Sequence, residues 1–142
     1  MTITAPAEVR KPLPEVNSVN KIYWDAAADH VLKVQQCPNC DRYQYPAVVL
    51  CPGCSSEMGW VTASGRGTLH TFTIIRLVFH PAFEREVPYN VSVVELEEGP
   101  LMITNVVGID DDELEIGMPL RVVFDDVAEG VSVPKFTPEV AR

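Results

Sequence analysis

Cys37-Pro-Asn-Cys40, then Asp41-Arg-Tyr-Gln-Tyr-Pro-Ala-Val-Val-Leu50, then Cys51-Pro-Gly-Cys54: this stretch holds all 4 cysteines of the chain and governs how the rest is read. Two Cys-x-x-Cys pairs put two thiolates on each of two tight turns, enough to surround one tetrahedral ion. The segment between them is long enough for a hairpin that brings the turns together. It is shorter than the commonest spacing for such sites and suits a compact ribbon. Two disulfides are the competing reading. They need an oxidising compartment, and the N-terminal MTITAPAEVRKPLPE has no apolar stretch of the length a secretion signal requires. A redox Cys-x-x-Cys is normally single and opens a helix beside a βαβ pattern, which is not the pattern here. Zinc is the ion expected, because four sulfurs leave no open coordination position and zinc needs no redox partner. Iron of rubredoxin type takes the same ligands and stays open. A metal enclosed by sulfur cannot activate water, so its role is structural.

On the N-terminal side, residues 1–19 carry Pro6, Pro12 and Pro14 with little periodicity and read as an extended arm. Residues 20–36 read as a helical segment. Ile22, Tyr23, Trp24, Ala26 to Ala28, Val31 and Leu32 suit one or two short amphipathic helices, with Asn20 as N-cap and Trp24 as a packing anchor. On the C-terminal side the ribbon occupies residues 37–59 and a β domain residues 60–138, with a tail at 139–142. Strands are expected at Thr68–Ile75, Tyr89–Leu96, Leu101–Val107, Leu120–Phe124 and Val131–Phe136. The Glu97-Glu98-Gly99-Pro100 turn makes the second and third a hairpin. Gly65-Arg66-Gly67 marks a bulge or a tight strand start rather than a phosphate loop. Five short strands without helices between them point to a small antiparallel barrel or sandwich, so the fold class expected is mainly β.

Length and composition narrow the function. A chain of 142 residues, 46% apolar and 22% charged, is ordinary for one soluble domain, and no apolar run approaches a membrane span. A cytoplasmic location is expected. Eleven Lys and Arg against twenty Asp and Glu give a formal net charge of −9, the opposite of what a phosphate backbone attracts. Nucleic-acid binding is therefore disfavoured.

No complete catalytic set emerges. His30, His70 and His80 are the 3 histidines. The first two read as packing or surface residues, and His80, in a loop beside Pro81, is the one candidate for acid/base work. HExxH, GxSxG, P-loop and GxGxxG patterns are missing. The connection Arg76-Leu-Val-Phe-His-Pro-Ala-Phe-Glu-Arg-Glu-Val-Pro-Tyr89 is unusually apolar for a loop. It either folds back on the barrel or covers a partner or ligand, with Arg76 and Arg85 at its edge to meet phosphates or carboxylates.

Taken in order, Tyr23-Trp24, the knuckles from Cys37 to Cys54, Trp60, Gly65-Arg-Gly67, Pro88-Tyr89, Ile116-Gly117 and Pro134-Lys-Phe136 carry a family resemblance. Over roughly residues 20–138 the chain resembles a family in which a rubredoxin-like zinc ribbon precedes an OB-fold, associated with acyl-CoA enzymes. The sequence departs from the family at Asp41 and Ser55, where Gly is commoner after each knuckle, and each must take the turn without that freedom. The resemblance implies a five-stranded OB barrel and a non-catalytic accessory subunit of a hetero-oligomer. The partner it implies is a thiolase-superfamily enzyme, such as a thiolase or an aldolase that shortens steroid side chains, or else a MaoC-type acyl-CoA hydratase. Cys37, Cys40, Cys51 and Cys54 would hold the zinc. Arg42, Arg66, Arg76 and Arg85 are the candidates for CoA phosphates, since such ionic contacts favour Arg. Phe79, His80, Phe83 and Tyr89, together with the N-terminal helices, are the expected contacts to the partner or the acyl chain. Two rival readings are a single-stranded nucleic-acid module, a role both ribbons and OB-folds serve, and an independent hydratase using His80.

Overall fold

The computed structural model describes residues 10–139. Positions 1–9 of the expected arm and 140–142 of the expected tail lie outside the described residues. Within them are one α-helix and eight strands in two antiparallel sheets.

The helix α1 (Lys21–Ala28) buries Tyr23, Ala26 and Ala27, the i, i+3, i+4 face of a short amphipathic helix. It stops where the sequence reading let it continue. His30 turns left-handed (φ 59°), its N–H donates to Ala27 O at 2.9 Å, and the Val31 N–H donates to Ala26 O at 2.9 Å. That is a Schellman stop with His in the position usually held by Gly. The second half of the expected helical segment is thereby corrected to a strand, β1 (Lys33–Gln36). Asn20 does sit at the N-cap position, but its side chain makes no cap bond. Its amide accepts from the Asn17 N–H and donates to Glu15 O, tying down the preceding turn instead.

β1 is the centre of a three-stranded sheet, flanked by β2 (Tyr43–Gln44) and β3 (Gly59–Thr62). The other sheet runs β6-β5-β4-β7-β8, from β4 (Arg66–Ile75), β5 (Tyr89–Leu96), β6 (Leu101–Thr104), β7 (Pro119–Ala128) and β8 (Val131–Pro138). These are the five expected strands, and β5–β6 is the expected hairpin. The sheet curls until its two edges meet. Val106, just past β6, forms a parallel bridge to Phe136 on β8, with Val107 N–H donating to Phe136 O at 2.8 Å and Phe136 N–H to Asn105 O at 3.0 Å. Barrel, not sandwich, is the outcome. Two glycines make the start of β4 possible. Gly65 has φ +80°, and a Cβ on Gly67 would lie 2.6 Å from Glu95 O on the neighbouring strand.

One apolar core joins the two sheets. Leu69, Val94, Leu96, Met102, Leu120 and Phe136 fill the barrel, and Tyr23, Leu32 and Val34 extend the cluster to the helix and the smaller sheet. Trp24 packs half-buried against it, edge-on to Tyr23 at 4.9 Å, as an anchor should. At the surface the same junction is held by His30. Its ring stacks on Phe124 at 5.1 Å, and its Nε2 lies 2.7 Å from Asp126 Oδ1. That hydrogen bond holds the Asp126 carboxyl below its ordinary range. A depressed folded-state pKa means stabilisation that is complete above the ordinary carboxylate pKa and is lost as pH falls through the folded value. Asp126→Asn should therefore sit below the parent in urea midpoint at pH 6. The gap should close as the pH is lowered below about 4, which titration of both proteins checks.

Candidate metal centre and partner-facing loop

The two knuckles use one backbone pattern twice. Cys37 N–H donates to Arg42 O at 2.9 Å and Asp41 N–H to Cys37 O at 2.9 Å. In step with them, Cys51 N–H donates to Ser56 O and Ser55 N–H to Cys51 O, both at 2.8 Å. Each turn closes only if the residue after its second cysteine is left-handed, and Asp41 (φ 64°) and Ser55 (φ 63°) are. Those are the two positions where the sequence lacks the usual Gly. A side chain in this region costs on the order of 1–2 kcal/mol. The hydroxyl of Ser55 makes no hydrogen bond among the described residues. Ser55→Gly should therefore raise stability by about 1 kcal/mol after the extra unfolded-state entropy of Gly is allowed for, read as an increased urea midpoint of the metal-loaded protein.

The turns bring the four Sγ atoms of Cys37, Cys40, Cys51 and Cys54 within 4.8 Å of one another. The pairs Cys37–Cys54 and Cys40–Cys51 are 3.5 Å apart. These separations are too long for disulfides and bracket the roughly 3.8 Å edge of a tetrahedron with ~2.3 Å metal–sulfur bonds. Backbone N–H groups already point at sulfur, Cys40 N–H to Cys37 Sγ at 3.4 Å and Gly53 N–H to Cys51 Sγ at 3.3 Å. The Asn39 side chain, aided by Ser56, pulls the Cys54 thiol down to about 5. The Arg42 backbone also acts to lower Cys40, but its hydrogen bond to Cys51 and burial outweigh this and push Cys40 up to about 12. Four crowded sulfurs, donors aimed at them and no disulfide make a four-thiolate metal centre the arrangement these residues fit. Among the described residues, no carboxylate or histidine belongs to the cluster.

The other candidate residues divide between three places. Arg42 lies over the second knuckle, its Nε 3.1 Å from where a Cβ on Gly53 would be. Arg66 starts β4 and pairs with Glu139 Oε1 at 3.3 Å. The remaining candidates, Arg76, Phe79, His80, Phe83, Arg85 and Tyr89, share the β4–β5 connection or its end. Arg66 opens β4, a strand of ten residues, and so lies at the opposite end of that strand from the loop. The loop itself does both of the things the sequence allowed. Its tip stands out in solvent, with Phe79 74% and Leu77 68% exposed, while Phe83 and Tyr89 fold back with rings 6.2 Å apart. Arg76 and Arg85 are exposed and make no ion pair among the described residues. His80 Nδ1 accepts the Ala82 N–H at 3.1 Å, capping the 3-10 turn Pro81–Phe83, and its ring meets Phe83 edge-on. That bond fixes the ring with Nδ1 as acceptor and leaves Nε2 without a partner among the described residues.

Beneath the loop lies a feature the sequence reading missed. A cavity of about 480 Å³ is lined by Phe83 and Tyr89, by Val133 and Lys135 of β8, and by Lys11, Pro12 and Pro14 of the arm, with Lys11 reaching Glu86 and the Phe83 ring. Its floor is Asn90, whose amide is saturated. Nδ2 donates to Val106 O and Asp111 Oδ1 at 2.8 and 3.0 Å, and Oδ1 accepts from Ser92 Oγ and Val106 N–H at 2.7 and 2.8 Å. The prolines of the arm were the only hint in the sequence.

Comparison with known proteins agrees with this geometry. Residues 24–59 match the family described as the ChsH2 rubredoxin-like zinc ribbon domain, and residues 60–125 the ChsH2 C-terminal OB-fold domain. The chain is 36% identical over 133 residues to a probable enoyl-CoA hydratase alpha subunit of Thermomonospora curvata, covering 93% of this chain and 41% of that one. It thus spans about two fifths of that relative's length. It is 32% identical over 96 residues to a DUF35 domain-containing scaffold protein of Methanothermobacter thermautotrophicus, covering 66% of this chain and 71% of that protein. Among solved structures, a chain of the Ltp2-ChsH2(DUF35) aldolase aligns with a TM-score of 0.82 at 36% identity, over 89% of this chain and 99% of that one. The chain belongs to the ChsH2 (DUF35) family, a rubredoxin-like zinc ribbon followed by an OB-fold.

Proposed function

We propose that the protein is a non-catalytic accessory subunit that binds a thiolase-superfamily enzyme, a thiolase or a side-chain-cleaving aldolase, and helps form its acyl-CoA site in lipid, steroid or aromatic breakdown. The observation that carries this is the likeness, over 99% of its length, to a chain of the Ltp2-ChsH2(DUF35) aldolase. The site chemistry supports it. The metal centre has four sulfur ligands to offer, so zinc bound there would be tetrahedral and closed to substrate. Reduced thiols of this kind fit the cytoplasm. The exposed Leu77-Val78-Phe79 tip suits burial against a partner, and Arg76 and Arg85 beside it suit the phosphates of CoA. No helix among the described residues is long and apolar enough to cross a membrane. The likeness to a hydratase alpha subunit favours one alternative, an accessory role beside a MaoC-type acyl-CoA hydratase.

Pull-down of the tagged protein from its native cells, with mass spectrometry and metal analysis of the same sample, tests both. A thiolase-like subunit in near-equal amount with about one zinc per chain is the expected result, and a hydratase subunit in its place selects the alternative. Zinc with no stable partner sinks both. In the isolated complex, Arg76→Ala with Arg85→Ala should weaken acyl-CoA binding about tenfold or more in calorimetry, as loss of two charge-assisted contacts would. Unchanged binding removes the two arginines from the site.

A further inference from the structure

The cavity beneath the arm differs in chemistry from the arginine-flanked loop tip. Pro12, Pro14, Phe83, Tyr89, Val107 and Val133 give it apolar walls, and its volume falls within the range of small-molecule sites, about 300–1,000 Å³. Its charged rim is internally compensated. Lys11 pairs with Glu86 at 2.8 Å and stands 5.4 Å from the Phe83 ring centre, and Lys135 pairs with Asp125 at 2.8 Å. Asp111 adds a third carboxylate, engaged by Asn90. An anion entering would face three carboxylates and two lysines already paired. The saturated Asn90 floor offers no free donor from its side chain. Recognition by charge is therefore weak, and what remains is shape, apolar contact and the Asn105 amide, which donates to Asn90 O and has a second N–H and its carbonyl to orient a neutral group.

We propose that this cavity is a binding pocket for an uncharged apolar small molecule or group, and that the arm residues Lys11–Pro14 form its removable wall. The wall is tied mainly by the exposed Lys11–Glu86 pair and the contact of Lys11 with Phe83, both at the surface and weak, so it can lift without disturbing the barrel. The pocket needs no partner subunit, so the proposal stands or falls on the lone chain, independently of the accessory role.

The test uses the full metal-loaded chain and the neutral fluorophore N-phenyl-1-naphthylamine, with its anionic relative 8-anilinonaphthalene-1-sulfonate as comparison. Saturable single-site binding of the neutral probe is expected, with the anionic one at least tenfold weaker. Val107→Trp and Val133→Phe, which fill the cavity, should each weaken neutral-probe binding at least tenfold at unchanged melting temperature. Ile103→Ser, which removes an apolar side chain 70% exposed on β6 outside the cavity, should leave it unchanged. Glu86→Ala should speed association several-fold in stopped flow by freeing the wall. Probe-induced methyl shifts at Val107 and Val133 in the parent protein give a readout that needs no variant to fold. Equal binding by the filled variants, preference for the anionic probe, or shifts confined to Leu77–Phe79 would overturn the pocket. An association rate unmoved by Glu86→Ala would overturn the removable wall.

Discussion

Chelating the metal, or replacing Cys51 by Ser, will unfold the ribbon half of the molecule and leave the barrel standing. The sheet β2-β1-β3 has strands of two and four residues, and few of its side chains besides Val34, Cys37 and Cys51 are deeply buried. That is too little apolar area to hold two knuckles closed, each with a left-handed non-Gly residue, around four sulfurs within 4.8 Å. In such sites the metal-binding free energy is the folding energy, roughly 10–16 kcal/mol in isolated zinc-finger peptides. The barrel keeps the larger share of the common core, Leu69, Val94, Leu96, Met102, Leu120 and Phe136, and closes through the Val106–Phe136 bridge. Both tryptophans, Trp24 and Trp60, belong to the helix and the small sheet and pack against the common core, so their emission reports this half and its contact with the barrel. Chelator should shift it to the red while the far-ultraviolet β signal largely persists, and zinc should reverse the change. Unshifted emission in demonstrably metal-free protein would mean that the ribbon stands on packing.

Asn90→Asp should cost roughly 4 kcal/mol of stability at pH 7, although the two side chains have the same shape. The carboxylate loses both N–H donors and places an oxygen against Val106 O and Asp111 Oδ1, which Asn90 Nδ2 now meets at 2.8 and 3.0 Å. Each buried acceptor left without a donor costs about 1–3 kcal/mol, and more when charge is involved. Val106 is the residue that closes the barrel, so the damage falls on the seam. Asn90→Ala should do less harm than the Asp variant, because it removes the same partners without adding a buried charge. Urea unfolding of the three proteins ranks them. An Asp variant as stable as the parent would show that the network carries little energy.

The parts of the fold that were legible are those written in local sequence. Strand positions follow from β-branched runs separated by turn residues. The strained knuckle positions follow from Asp41 and Ser55 standing where Gly is usual. The helix was overextended because its stop is not written in Gly. His30 takes the left-handed position at a local cost, and what keeps it there is its ring on Phe124 and its bond to Asp126, contacts with a strand far along the chain. Asn20 misled for the same reason, since its amide had nearer partners in Glu15 and Asn17.

By itself the sequence determined that four thiols, paired on two turns, meet at one centre, and that five strands follow. Covalent spacing and side-chain periodicity act over a few residues and need no knowledge of the rest of the chain. Only the tertiary structure decided that Phe83 and Tyr89 turn inward while Phe79 stays in solvent, that His80 caps a turn through Nδ1, and that the arm walls a cavity floored by Asn90. Those outcomes depend on which distant surfaces meet once the barrel curls shut, and on which buried polar groups then find partners.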